Sequence, residues 1–291
     1  MNKYQKFYVD ATIKSLDQQY KKVNKKLEDI YKEHSTNREV LIDKLSRTIL
    51  DYKVTAEFMD LTPKEQRAIK KNLQMTIHDL IIEEEAKEKE FIKKTLGDAT
   101  ANTYKYQEYI LSLGIDFKSL PLTSDVITAI VMAKVKKKLW IDRLGVNKGQ
   151  LEKQLQNDID KFLKGNLSIN KIGQNIRDRW EIDFNNSQRL VRTELARVQG
   201  AILDKFDKDH EVEWQLWIST LDSKTSKICR ELDGNQYAID DPNKPEIPRH
   251  PNCRSALVGI PHKDYKPTTR RDNENNEIIP YKTYNQWEKS L

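Results

Sequence analysis

Val212-Glu213-Trp214-Gln215-Leu216-Trp217-Ile218 is the stretch that decides the fold class. Its side chains alternate and β-forming types dominate, which predicts a strand. Almost everything upstream repeats at the helical spacing, and short strands and turns follow. That order reads as α+β: a long, coiled-coil-like N-terminal helical region, a helical segment, then a small C-terminal α+β domain.

Upstream, Ile13, Leu16, Tyr20, Val23, Leu27 and Ile30 recur at intervals of three and four with Lys and Glu between them, an a/d seam. The seam breaks at His34-Ser35-Thr36-Asn37. A second, out of phase, uses Ile42, Leu45, Ile49, Tyr52, Ala56 and Met59. The phase shift predicts two helices folded on each other, with His34 at a helix end rather than serving as a ligand. Thr62-Pro63-Lys64-Glu65 starts the next helix with a cap, a first-turn proline and a capping box. That helix carries Ile69, Leu73, Ile77, Leu80 and Ile81 and is expected to stop at Gly97. Glu83-Glu84-Glu85 reads as a solvated face, and His78 as a packed or surface residue.

Leu120-Pro121 marks a boundary, with Thr123 or Ser124 capping a helix through Ile127, Ile130, Val131, Val135 and Leu139. Its end is basic: Lys134, Lys136, Lys137, Lys138 and then Arg143. Two accounts fit, a helix dipole favouring cations at its C-terminus, or contact with nucleic-acid phosphates or an acidic partner. A helix from Asn147 to Leu163 stops at Gly165, and Ser168 caps a short one through Ile169, Ile172, Ile176 and Trp180. Asn185 or Asn186 opens the last long helix, with Leu190, Val191, Leu195, Val198, Ile202 and Phe206.

Downstream of the opening strand, Asp222-Ser223 caps a short helix ending near Leu232. Asp233-Gly234-Asn235 turns into a strand at Gln236 to Ile239. A proline-rich loop from Asp241 to Pro248 leads to a last strand, Ser255 to Ile260. The tail beyond Pro261 is polar, with Arg270 to Glu274 read as flexible and Trp287 as an exposed anchor for this chain or a partner. The expected division is 1–120 helical, 121–262 α+β with its core at 165–260, and 263–291 tail.

The 291 residues suffice for about two domains. A net charge of +6 permits contact with nucleic acid without requiring it. No apolar run reaches about 18 residues, and Met1-Asn2-Lys3-Tyr4 opens no apolar leader. Both point to a cytoplasmic setting without membrane contact. Two cysteines, Cys229 and Cys253, exclude a disulfide scaffold.

Four pieces occur in order: Val191-Arg192-Thr193-Glu194 on a helix, Trp217-Ile218-Ser219-Thr220-Leu221-Asp222, Cys229-Arg230-Glu231-Leu232-Asp233-Gly234, and Pro248-Arg249-His250-Pro251-Asn252-Cys253-Arg254. From about Gly165 to Ile260 the set resembles the phage head-morphogenesis family typified by phage Mu protein F. The resemblance implies a low-copy minor capsid protein, without enzymatic activity, acting in head assembly at the portal and in packaging or delivery of DNA. It implies the portal protein, a major capsid or scaffold protein and packaged DNA as partners. The implied location is the virion interior, reached from the host cytoplasm.

Arg192, Thr193, Glu194, Asp222, Asp233, Gly234, Asn252 and Arg254 are the structural motif residues of that resemblance. Arg192 and Glu194 stand two apart on a helix and diverge, so each needs a partner elsewhere, Asp222 or Arg254 being candidates. Buried ion pairing and catalytic use are the two readings. Cys229, His250 and Cys253 offer three ligands for zinc. Relatives resemble a fuller Cys-x-x-Cys, His-x-x-Cys-x-Cys set, and here Ser226 and Ser255 stand in two of its places. Serine ligates zinc poorly, so a compact loop without a cofactor is the first expectation and zinc the alternative. Two further readings are a metal-dependent nuclease or other toxin-like enzyme, and a generic DNA-binding helical protein. Arg192-Thr193-Glu194 with Ser219-Thr220 is also similar to an ADP-ribosyltransferase pattern, in residues too common to identify it.

Overall fold

The computed structural model describes residues 3–113 and 119–291, with side chains from Phe7 onward. Met1 and Asn2, read above for a leader, lie outside the described residues. The elements run α1 (Lys3–Asp51), β1 (Val54–Thr55), β2 (Phe58–Met59), α2 (Pro63–Ser112), α3 (Ser124–Val131), α4 (Trp140–Leu163), α5 (Ile169–Asp209), β3 (Trp214–Ile218), α6 (Lys227–Leu232), β4 (Gln236–Ala238), β5 (Ala256–Ile260), β6 (Thr269–Asp272), β7 (Glu277–Pro280) and α7 (Tyr284–Glu288). The fold is α+β, as expected. No helix is long and apolar enough to cross a membrane among the described residues.

Three helices run through breaks that the sequence reading placed in them. α1 continues through His34 to Asn37 because the seam there turns polar instead of ending. His34 and Asn37 face inward and bond Glu88 and Glu84 of α2 at 2.6 and 2.7 Å. His34 is therefore a buried residue of mid-helix, not a helix end, and Glu84 has no exposure, not a solvated face. α2 passes through Gly97 because Ile92, Leu96 and Ala99 stay buried on either side of it, and one helical glycine costs only about 1 kcal/mol. α5 passes through Asn185 and Asn186 in the same way, with Asp183, Ser187 and Leu190 all buried.

Starts were more legible than stops. Thr62 and Glu65 form the capping box, Thr62 N donating to Glu65 Oε2 at 2.8 Å and Glu65 N to Thr62 Oγ1 at 3.4 Å. Thr123 caps α3 and Ser168 caps α5 through their hydroxyls. Gly165 follows α4 at φ +70°.

The packing divides the chain into two compact units, each discontinuous in sequence. Unit 1 takes Met1–Val23, Lys93–Ala133 and Val191–Leu291; unit 2 takes Asn24–Ile92 and Lys134–Leu190. Unit 2 is helical with the small β1–β2 hairpin, and its core includes Leu45, Leu73, Ile77, Leu155, Ile159 and Trp180.

In unit 1, β3 is the central strand of an antiparallel sheet ordered β4-β3-β5. Trp214 lies opposite Ala238 on one side and Ile260 on the other. Leu216, Ile218, Val258 and Ile260 pack on Val9 and Tyr265. On the opposite face Trp217 and Leu257 pack on Cys229 and Cys253. The last residues are folded, contrary to the flexible tail expected. β6 pairs with β7, Arg270 and Asp272 are buried, and Trp287 is 2% exposed instead of an open anchor. Its indole donates to Asp272 Oδ2 at 2.9 Å.

Asp207 of α5 lies fully buried behind β5. One carboxylate oxygen accepts from Gln215 Nε2 at 2.7 Å, and the other has no partner. Gly259 lets the strand close over it, since a Cβ there would stand 2.5 Å from Asp207 Oδ1. Burial pushes the Asp207 pKa up to about 7. The folded state then keeps a proton that the unfolded chain loses near pH 4. This contribution is complete below about pH 4 and is lost as pH rises through about 7, with an upper size on the order of 4 kcal/mol. Urea titrations at about pH 5 and about pH 8 are expected to show the native chain losing more stability than Asp207→Asn. An equal or smaller loss in the native chain would contradict this.

Candidate functional site

The three residues picked out as metal ligands do come together. Ser226 precedes α6, which turns Cys229 inward, and the turn from His250 to Cys253 closes with Cys253 N donating to His250 O at 3.1 Å. Cys229 Sγ lies 3.2 Å from His250 Nε2 and 3.8 Å from Cys253 Sγ. Both are free thiols, far beyond the ~2.05 Å of a disulfide. Ser226 Oγ is 2.7 Å from the same His250 Nε2. Asn252 takes the left-handed conformation at φ +58°, and its N–H donates to Thr193 Oγ1 on α5 at 3.0 Å.

The two thiols share their protons unequally. The bond between the two thiols holds the Cys253 pKa down, to about 5. The same bond and burial push Cys229 up. Two sulfurs and one imidazole nitrogen are the donors here that suit zinc. The fourth neighbour is the Ser226 hydroxyl, a poor ligand, whereas structural zinc takes four good ones.

Beside this loop, Arg254 grips both oxygens of Asp222, with Nη2 at 2.8 Å from Oδ1. Asp222 and Arg254 were offered as partners for Arg192 and Glu194, but they pair with each other. Glu194 instead pairs with Arg197 at 2.5 Å, and that guanidinium also donates to the carbonyls of Ile130 and Val131 at 2.7 and 3.0 Å. The i,i+3 spacing of Glu194 and Arg197 was readable in the sequence and was missed. Burial, then the Arg254 charge, lowers the pKa of Arg192. Tyr20 Oη donates to Cys253 O at 3.1 Å. These side chains adjoin a cavity of about 420 Å³ in unit 1, lined by Lys14, Asp17, Tyr20, Gln199, Arg254 and Arg271 among others.

Asp233 does more than make a turn. Its oxygens accept from Ser219 N at 2.7 Å, from Arg270 Nη1 and Nη2 at 2.7 and 2.8 Å, and from Tyr284 N at 2.6 Å. Gly234 is the turn residue proper: its φ is +85°, and a Cβ would meet Thr283 Cγ2 at 2.8 Å.

The basic run is not a helix end. α3 stops at Val131, and Val135 and Lys138 bridge a tight turn in which Lys136 and Lys137 take φ +49° and +66°. Arg143 Nη2 closes the turn onto Val135 O at 2.6 Å. Lys134, Lys136, Lys137 and Lys138 are exposed. They stand before the N-terminus of α4, where the helix dipole disfavours cations. The dipole account of this run is thus inverted.

Asp233→Ala removes a buried carboxylate and leaves Arg270 without its counter-charge. The expected loss is about 3–5 kcal/mol, read by denaturant titration. Limited proteolysis within residues 263–291 should rise with it. A loss below about 1 kcal/mol would mean that the pair holds nothing in place.

Residues 144–258 match the family described as Phage Mu protein F like protein. Among curated proteins, NAD(+)--arginine ADP-ribosyltransferase EFV of Enterococcus faecalis is 27% identical over 186 residues, covering 58% of this chain and 38% of that protein. The chain thus spans well under half the length of this relative. No solved structure matches. The matched stretch contains Arg192 to Glu194, Asp222, Cys229, Asp233, His250 and Arg254 in the order first read from the sequence. It is over residues 144–258 that the chain is similar to the phage Mu protein F-like family.

Proposed function

We propose that the chain is a minor head protein of a tailed bacteriophage, with a structural role in head assembly at the portal and in packaging or delivery of DNA. One observation carries this reading. Within the family stretch, the polar motif residues are engaged in holding the fold together. Arg254 binds Asp222, Glu194 binds Arg197, Thr193 holds Asn252, and Asp233 binds Arg270. Partners fitting this role are the portal protein, a major capsid or scaffold protein, and packaged DNA. Its place is inside the capsid, after assembly in the host cytoplasm.

In unit 2, Val40, Leu50, Met75 and Ile82 are exposed apolar side chains on α1 and α2, of the kind a protein partner covers. The lysine turn suits phosphates. Its four cations stand free of the helix end that would have explained them, and two sit in a conformation rare for lysine. We propose that the Cys229–His250–Cys253 loop packs without a cofactor, because Ser226 and Ser255 replace the ligands a closed zinc site needs. Stoichiometric zinc bound by this loop in metal analysis would overturn that.

A second reading takes its support from the Enterococcus relative: transfer of ADP-ribose from NAD. Against it, Ser219 is 2% exposed. Its hydroxyl accepts from Trp217 Nε1 and donates to Cys229 O. Incubation with labelled NAD is expected to transfer no label to an arginine-rich acceptor.

In purified particles of the encoding phage, the chain is expected at low copy, protected from external protease until the heads are opened, and captured with the portal protein. Complete particles that lack it would overturn the assignment. Lys136→Glu with Lys137→Glu is expected to weaken duplex binding and reduce the log–log salt slope by about 2. Absence of any native-chain gel shift at low salt would remove DNA from its partners.

A further inference from the structure

Three helices of unit 2 bring four metal-ligating side chains together away from water, and a fourth helix adds a lysine. His34 of α1, Glu84 and Glu88 of α2, Lys148 of α4 and Asp183 of α5 are each at most 2% exposed. One donor atom each from His34, Glu84, Glu88 and Asp183 lies within 4.8 Å of all the others. Two ligands of one ion at ~2.1 Å stand at most about 4.2 Å apart. A contraction of a few tenths of an ångström therefore converts the cluster into a coordination shell. Glu84 and Glu88 are four apart and share a helix face.

The charges do not balance. Lys148 Nζ donates to Glu84 Oε1 at 2.5 Å, to Asp183 Oδ2 at 2.6 Å and to Glu88 Oε1. One ammonium thus faces three carboxylates, and unbalanced buried charge costs several kcal/mol per ion. Independently, three buried atoms of the group have no hydrogen-bond partner: His34 Nδ1, which lies 3.7 Å from Asp183 Oδ2, Glu88 Oε2 and Asp183 Oδ1. Lys148 engages the other oxygen of both Glu88 and Asp183, so it leaves these lone pairs open.

We propose that His34, Glu84, Glu88 and Asp183 form a buried site for a divalent first-row metal ion. Two added positive charges neutralise the cluster, and the ion takes the place that the Lys148 ammonium now holds within reach of all four side chains. One imidazole with carboxylates and no thiolate suits manganese, iron, cobalt or zinc. Asn37 Nδ2 and Trp180 Nε1 hold Glu84 Oε2 at 2.7 and 3.2 Å, the kind of outer contact that aims a metal-binding carboxylate. The site's role is to lock α1, α2 and α5 of unit 2 together, and it does not depend on the phage-head reading.

The full chain, stripped with chelator and dialysed against Co2+, tests this. Cobalt at the Cys229–Cys253 loop would carry thiolate-to-metal charge transfer. Cobalt in unit 2 would show ligand-field bands without it. The expected result is one cobalt ion of the second kind, with affinity lowered more than tenfold, to roughly the extent seen for other ligand-shell changes, in His34→Gln and in Glu88→Gln. In the native chain, chelation is expected to lower Tm and Mn2+ to restore it. That arm requires no variant and decides the matter if the substituted chains do not fold. No thiolate-free cobalt, with Tm indifferent to chelator, would overturn the site and leave two protons to balance the charge. Equal cobalt affinity in folded His34→Gln and Glu88→Gln would overturn it as well.

Discussion

A carboxylate removed from water must recover its hydrogen bonds from protein, and Asp233 recovers them from three separate parts of unit 1. The N–H of Ser219 lies just past β3, the guanidinium of Arg270 lies in β6, and the N–H of Tyr284 opens α7. No apolar contact specifies position so narrowly, because each donor must reach its own lone pair. The same Arg270 also donates to the carbonyls of Ser219 and Lys282. One ion pair therefore fixes where the strand ends, where β6 lies and where the last helix begins. The packing of Leu221, Tyr284 and Trp287 into one cluster follows from that placement.

The thiol loop depends on the same frame at one remove. Ser219 links Asp233, through its N–H, to Cys229, through its hydroxyl bond to the Cys229 carbonyl. Ser255 Oγ donates to Ser219 Oγ at 3.2 Å. Ser255 thus has a structural occupation where a cysteine would supply a metal ligand. Ser226 differs, because its hydroxyl points at His250. Ser255 gains a hydrogen bond in the core of unit 1, whereas Ser226 leaves a weak donor facing the imidazole. The two serines are therefore not equivalent, although the sequence presents them as a pair.

Much of the fold was readable because the signals were local. Alternation gave β3, and cap residues gave the starts of α2, α3 and α5. The four motif pieces were correctly read as one packed α+β module. What failed was the inference that polar residues mark ends or surfaces. His34 and Asn37 looked like a break in a seam, Glu84 like a wet face, and Arg270 and Asp272 like a loose tail. Each is polar and buried, paired with a residue distant in sequence. Pattern reading treats polarity as exposure and is blind to such pairs. The two-unit division is hidden for a related reason: composition shows contiguous segments, whereas each unit is assembled from pieces far apart in the chain.

The lysine turn shows how a local signal changes meaning with its context. As the end of a helix, Lys134 to Lys138 would be explained by the dipole alone. Ahead of α4, the same charges face the positive end of a dipole, and neighbouring Asp142 bonds the backbone N–H of Leu139 at 2.8 Å to satisfy that end. The lysines therefore add to the field at the helix start instead of relieving it. Lys136 and Lys137 also occupy left-handed conformations that Asn or Gly would adopt at less cost. Local stability accounts for neither their charge nor their backbone. The anion contact proposed for this turn would supply a gain from outside the chain that its local stability does not.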